Sequence, residues 1–143
     1  MRKVRRIVLD NAHNLRDLGG YATGDNKVTR WHVLYRSDTL HTLTEKEWNY
    51  LYTNGIRTVI DLRSKTETEQ NKVIIPKKYP IAYKKCPVQS VEVNLNSEEL
   101  SKFALNESME KAYIEMFDDD TKLFTKAIIT IIESLKFGQT IFF

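Results

Sequence analysis

The residues from Thr44 to Leu62 restrict the fold more than any other part of the chain. Thr44 followed by Glu47 is a capping box, in which the hydroxyl and the carboxylate satisfy free amide donors at a helix start. Trp48, Leu51 and Tyr52 then make one apolar stripe, and Asn54-Gly55 supplies a left-handed stop. Thr58-Val59-Ile60 with Leu62 reads as a short buried strand directly behind that stop. Helix, tight turn and parallel strand in succession is the grammar of an α/β fold.

The flanking sequence extends that reading. Val4 to Leu9, Gly19-Gly20-Tyr21, Gly24-Asp25-Asn26 and Trp31 to Tyr35 mix short β-prone runs with turn residues, which predicts small strands and a hairpin. Ser64 to Lys72 suits a short polar helix, and Ile81 to Val88, bounded by Pro80 and Pro87, a further strand. Val93 to Asn106 is mostly polar with scattered leucines, which suggests an exposed insertion or lid, and Met109 to Phe117 has helical character. Asp118 to Asp120 is placed to cap a helix on which Phe124, Ile128, Ile131, Ile132 and Leu135 share one broad face, predicted to pack on the core. Gly138 ends that helix, and Thr140-Ile141-Phe142-Phe143 has the look of a buried central strand. With no internal repeat, low-complexity tract or Gly/Pro/Ser-rich linker, residues 1–143 read as one domain.

Composition narrows the function classes. The net charge of +3 arises from 22 basic and 19 acidic residues spread along the chain, so it gives no sign of a nucleic-acid surface. No apolar run approaches the roughly 18 residues that suggest a membrane span, and Ile7 to Leu9 is too short for the core of a signal peptide. Cys86 is the only cysteine, which excludes an internal disulfide and fits a reducing compartment, so a cytoplasmic location is expected. His13, His32 and His41 have no spacing that would bring two of them together on a helix, and no metal is implied.

Four clusters carry the chemistry. They are Asn14-Leu15-Arg16-Asp17-Leu18-Gly19-Gly20-Tyr21, Leu34-Tyr35-Arg36-Ser37-Asp38, Gly55 to Ser64 with Asp61-Leu62-Arg63 inside it, and the terminal Phe137 to Phe143. In order and spacing the set resembles the bacterial tyrosine-phosphatase family whose members act on phosphotyrosine, sometimes phosphoserine or phosphothreonine, and on phosphoinositides. The resemblance covers nearly the whole chain, and it implies a mostly parallel sheet flanked by helices, a phosphorylated protein or phosphoinositide substrate, and no cofactor.

As chemistry, Arg16, Arg36 and Arg63 each offer a planar fork of donors to phosphate oxygens, and Asp17 and Asp61 are able to orient those arginines. Ser37 would line the same pocket. Asp61-Leu62-Arg63 ends a predicted strand, where open α/β sheets place their ligands, so substitution at Asp61 or Arg63 is expected to weaken phosphate binding and leave folding largely intact. A structural reading stands beside each of these. Arg16-Asp17 before Gly19-Gly20 would serve equally as an ion pair holding a turn, and Arg36 as a solvated strand end.

The nucleophile is the missing part. Cysteine-dependent phosphatases use H-C-x5-R, a strand-loop-helix that sets a low-pKa thiolate under amide donors with an arginine on the phosphate. Cys86 does not fit: Lys85 precedes it, Pro87 removes an amide donor, and Glu92 stands where the arginine belongs. The resemblance implies that the loop would follow directly after Phe143, so the chain is expected to be a domain truncated before its catalytic loop and inactive alone. In the complete protein the thiolate would form a phosphocysteine that water then hydrolyses, with Asp61 as the candidate assisting carboxylate or merely a positioning group. A non-catalytic phosphate-binding or protein-interaction module is the competing reading. Truncation would also uncover an apolar face at the end strand, which predicts a homo-oligomer held through Thr140 to Phe143.

Overall fold

The computed structural model describes residues 4–88, 111, 114, 117, 118 and 120–143. Five strands form one sheet in the order β1-β2-β5-β3-β4. These are β1 (Arg16–Asp17), β2 (Leu34–Arg36), β3 (Ile56–Asp61), β4 (Ala82–Lys85) and β5 (Gln139–Phe142), and only β1 runs antiparallel to its neighbour. The helices are α1 (Glu45–Thr53), α2 (Lys65–Gln70) and α3 (Thr121–Ser134). The mostly parallel α/β sheet expected from Thr44 to Leu62 is present.

Local chemistry explains most of these elements. Thr44 and Glu47 form the capping box of α1, and Ser64 and Glu67 form a second one that starts α2. Gly55 follows the first helix at φ 100°. A Cβ there would meet the Gln139 side chain at 2.7 Å, so glycine is needed both for the turn and for the approach of β5. The expected hairpin is a tight one closed by an Ala22–Val28 bridge.

Residues directly opposite each other share a face of a sheet, so the register sorts the two sides. Tyr35, Ile141, Val59 and Tyr83 lie in one row, and this row packs with Trp48 and Leu51 of α1. Arg36, Phe142 and Ile60 lie in the next row, facing the other way, where Ile60 and Phe142 meet Ala127 and Ile131 of α3. Val59, Ile60 and Ile141 are wholly buried, which makes the β3–β5 pair the centre of the core.

Two expectations for the last quarter of the chain need correction. Helix α3 meets the sheet along a line through Ala127, Ile131 and Ser134, with Ala127 and Ser134 buried, while Ile128 and Ile132 are more than half exposed. Ile128→Ala or Ile132→Ala is therefore expected to cost under ~1 kcal/mol in urea unfolding, against the ~2–5 kcal/mol of a buried position. Asp120 stands at the N-cap of α3, and its side chain makes no capping bond to the first turn.

The end strand is central, as expected, and is paired along both of its edges. β5 is hydrogen-bonded to β2 on one side and β3 on the other, so association by adding a strand at Thr140 to Phe143 has no open edge to use. The suggested lid at Val93 to Asn106 lies outside the described residues, and of Met109 to Phe117 only residues 111, 114 and 117 are described, all helical.

Candidate functional site

The carboxyl edge of the parallel strands gathers five of the six residues singled out above. Arg16 is directly opposite Arg36, and Arg36 is directly opposite Phe142. Ser37 continues β2, donating its backbone N–H to the Phe142 carbonyl at 3.0 Å. On the far side of β5, Asp61 and Arg63 end β3, and the Leu62 N–H bonds to the Phe143 carbonyl at 2.8 Å. Phe142, which ends β5, and Phe143 after it thus run between the Arg36–Ser37 corner and the Asp61–Arg63 corner, two strand spacings or roughly 10 Å apart.

These corners differ in chemical state. Asp61 is buried, and both of its oxygens are engaged. Oδ1 accepts from the Arg63 backbone N–H and Nε, each at 3.0 Å, and Oδ2 accepts from Arg63 Nη2 at 2.7 Å and the Tyr83 hydroxyl at 2.5 Å. Burial pushes the Asp61 carboxyl up, but the bonds from Arg63 and Tyr83 outweigh it and hold the group below its ordinary value. Burial, and then the bond to Asp61, pushes the Tyr83 phenol up, so it stays an O–H donor. Arg63 also donates to Thr39 Oγ1 at 3.2 Å and to the Asn71 carbonyl at 3.1 Å, and its guanidinium lies 4.9 Å from the Phe143 ring centroid.

That geometry revises the sequence reading of this corner. Arg63 is a brace tying β3 to the loops before α1 and after α2, with its fork already filled by Asp61. Asp61 has no lone pair directed to an incoming group and is enclosed by core, which suits positioning and not proton transfer. The register sets Asp61 on the α1 side of the sheet with Tyr83, and Arg16 and Arg36 on the other side.

Asp17 likewise serves the fold. Its Oδ1 accepts from the Gly19 N–H and its Oδ2 from the His32 N–H, each at 2.8 Å, with the His32 ring nitrogen at 3.3 Å. It holds the turn before Gly19-Gly20 by these bonds and not by an ion pair with Arg16. Arg16 and Arg36 are the reverse case. Arg36 is exposed and Arg16 half-buried, and among the described residues neither guanidinium has an ion-pair or hydrogen-bond partner. Ser37 Oγ is 3.4 Å from the His13 carbonyl and from Asp38 Oδ1.

Cys86 sits at the end of the edge strand β4 under α3, 1% exposed, with Sγ 3.8 Å from Thr130 Oγ1. A thiol enclosed by Ile60 and Ala127 cannot reach a substrate, so it is a core residue. No group of three or more His, Cys, Asp or Glu side chains suited to a metal occurs among the described residues. Sequence reasoning missed Tyr83, Thr39 and Asn71 as partners of the Asp61–Arg63 pair. The only available signal was Tyr83 itself, a tyrosine within the predicted strand Ile81 to Val88, and its link to Asp61 depends on a register that the sequence does not state.

The sheet is mostly parallel, and Arg16 and Arg36 stand at its carboxyl edge, the place where open α/β sheets put their ligands. The model of the tyrosine phosphatase family matches residues 7–142, and the chain belongs to that family. Its function is accordingly phosphatase-like, directed at phosphorylated substrates. A search of curated proteins found no match. No helix among the described residues is long and apolar enough to cross a membrane.

Proposed function

We propose that this chain forms the sheet and the anion-facing side of a cysteine-dependent tyrosine or dual-specificity phosphatase, in which Arg16 and Arg36 contact the phosphorylated group. The observation that carries the reading is the Arg16–Arg36 pair, two arginines directly opposite each other in register and next to Phe142, without an acidic partner among the described residues. Like charges placed so are repulsive, and a bound oxyanion relieves the repulsion while accepting from both forks. Asp61, Tyr83 and Arg63 hold the end of β3 as a rigid rim, and Ser37 and Asp17 position the ends of β2 and β1.

The reaction in this reading is phosphomonoester hydrolysis by way of a phosphocysteine. A cysteine loop following β5, as the family resemblance implies, would emerge between the two corners. Its thiolate sulfur bonds to phosphorus as the ester P–O bond breaks and the leaving alcohol takes a proton; water then displaces the sulfur to release phosphate. Cys86 takes no part, and the 143 residues by themselves hold no nucleophile for this step. Phosphoproteins and phosphoinositides are the substrate classes, and a cytoplasmic location fits the lone buried thiol.

Orthophosphate titration of the chain, followed by amide chemical shifts, tests the anion site. Saturable shifts at Arg36 and Phe142 are expected, weakened about tenfold by Arg16→Gln or Arg36→Gln, the worth of one charge-assisted bond. Binding unchanged in both variants removes these residues from the site. The reading frame beyond the codon for Phe143 tests the rest: an H-C-x5-R loop there is the expected result, and a frame that encodes none favours a phosphate-binding module without catalysis.

A further inference from the structure

The amino ends of the parallel strands hold a concave site of their own. It lies against Ile56 and Gln139, the first residues of β3 and β5, and encloses about 220 Å³. β3 runs from Ile56 to Asp61, so this end of the sheet is roughly 16 Å from the Asp61–Arg63 corner. An apolar cavity of about 150 Å³ is enough to take up benzene, so a molecule with one aromatic ring fits here.

The lining combines an apolar wall with a few polar groups. Ile7, Leu51 and Ile56 belong to the core on the α1 side and form the wall, and Tyr35 and Tyr50 add two rings. The Tyr35 hydroxyl is committed within the fold: it donates to Gln139 Oε1 at 2.9 Å, with the His32 ring nitrogen 3.4 Å away. Gln139 Nε2 keeps its donors, with no acceptor among the described residues. Arg6 brings a positive charge to the lining, and no Asp or Glu stands there with it. Its neighbour Arg5 shows what a structural role looks like, since it donates to the Gly19 carbonyl at 3.3 Å and lies 3.9 Å over the Tyr21 ring. Arg6 is exposed and has no ion-pair or hydrogen-bond partner among the described residues.

We propose that this cavity binds a small aromatic monocarboxylate, its ring against Ile7, Leu51 and Ile56 and its carboxylate on the Arg6 fork, with Gln139 Nε2 as a second donor. A concave, largely apolar wall with a few polar groups is the general form of a small-molecule site. The aromatic lining favours a ring over a branched chain, and a guanidinium meets a carboxylate through two parallel N–H···O bonds. The proposal is independent of the reading of Arg16 and Arg36 as phosphate ligands.

Titration with phenylacetate, followed by amide chemical shifts, tests this beside phenylacetamide, which has the ring without the charge, and acetate, which has the charge without the ring. Phenylacetate is expected to give saturable shifts at Ile7, Leu51, Ile56 and Gln139, with both analogues at least about tenfold weaker. Arg6→Gln is expected to weaken phenylacetate about tenfold, one charge-assisted bond's worth, and to remove its advantage over phenylacetamide, while the exposed control Arg30→Gln changes neither. No saturable shift at these residues, equal affinity for acid and amide, or an acid preference that survives Arg6→Gln overturns the proposal. Displacement of phenylacetate by orthophosphate also overturns it, because the carboxylate would then sit at the carboxyl edge. A chain that binds phenylacetate but not orthophosphate supports this site and overturns the Arg16–Arg36 reading alone. Thermal unfolding of Arg6→Gln, expected to be within a degree or two of wild type for a surface change, shows that the lost affinity is local.

Discussion

Arg63→Ala is expected to lower the unfolding free energy by about 3–5 kcal/mol, a large part of the ~5–15 kcal/mol available to a domain of this kind. The variant strands Asp61, which is 1% exposed and keeps only the Tyr83 hydroxyl and one backbone N–H as donors. A buried carboxylate deprived of its counterion must either stay charged in the core or take up a proton, and both are costly. Removing Asp61 as well is expected to restore part of the loss, because an Asp61→Asn, Arg63→Ala pair leaves no unpaired buried charge. Urea midpoints of the two single variants and the double variant measure this coupling. A loss below ~1 kcal/mol for Arg63→Ala would show that the pair is solvated and that the arginine is available for other work.

Glu47 is expected to make the fold acid-sensitive. Burial pushes its carboxyl up, but the bonds from the Thr44 hydroxyl and N–H and from the Asn11 N–H and side-chain amide bring it from 4.5 down to about 2. A folded-state value below the unfolded one means that the contribution is complete above pH 4.5 and is lost as pH falls toward 2. The difference corresponds to about 3 kcal/mol at neutral pH. Asp61, also held low, adds to the loss below its unfolded value of 3.8. Glu47→Gln is expected to lose most of this stability at pH 7 and to flatten the profile between pH 4.5 and 2. A variant whose midpoint falls with pH as steeply as that of wild type would place the acid sensitivity elsewhere.

The parts of the fold that were legible in the sequence are those set by neighbours along the chain. Thr44 and Glu47 are three residues apart, and Asn54-Gly55 stands next to the strand it introduces, so helix α1 and strand β3 could be read directly. The centrality of β5 followed from the β-branched and aromatic run Thr140-Ile141-Phe142-Phe143 after Gly138. What escaped depends on register and on helix orientation. Tyr83 reaches Asp61 because β3 and β4 pair Val59 with Tyr83, and nothing in either segment fixes that alignment. The face of α3 was legible only in part: Ile131 packs on the core as its periodicity implies, whereas Ile128 and Ile132 turn to solvent and Ala127 and Ser134 take the buried positions.

The candidate site divides the same way. Motif spacing brought Arg16, Arg36, Asp61 and Arg63 to one edge of the sheet, which a strand-end rule predicts. It could not tell an arginine with a filled fork from one with an empty one, and that distinction reverses their roles.

The central claim is that these 143 residues supply the anion-facing scaffold of a phosphatase and not its nucleophile. Hydrolysis of p-nitrophenyl phosphate by the purified chain, measured beside Cys86→Ser, tests it most directly. The account predicts no turnover above the buffer rate for either protein. Turnover by the chain that disappears in Cys86→Ser would contradict it, since the buried thiol between β4 and α3 would then be the attacking group.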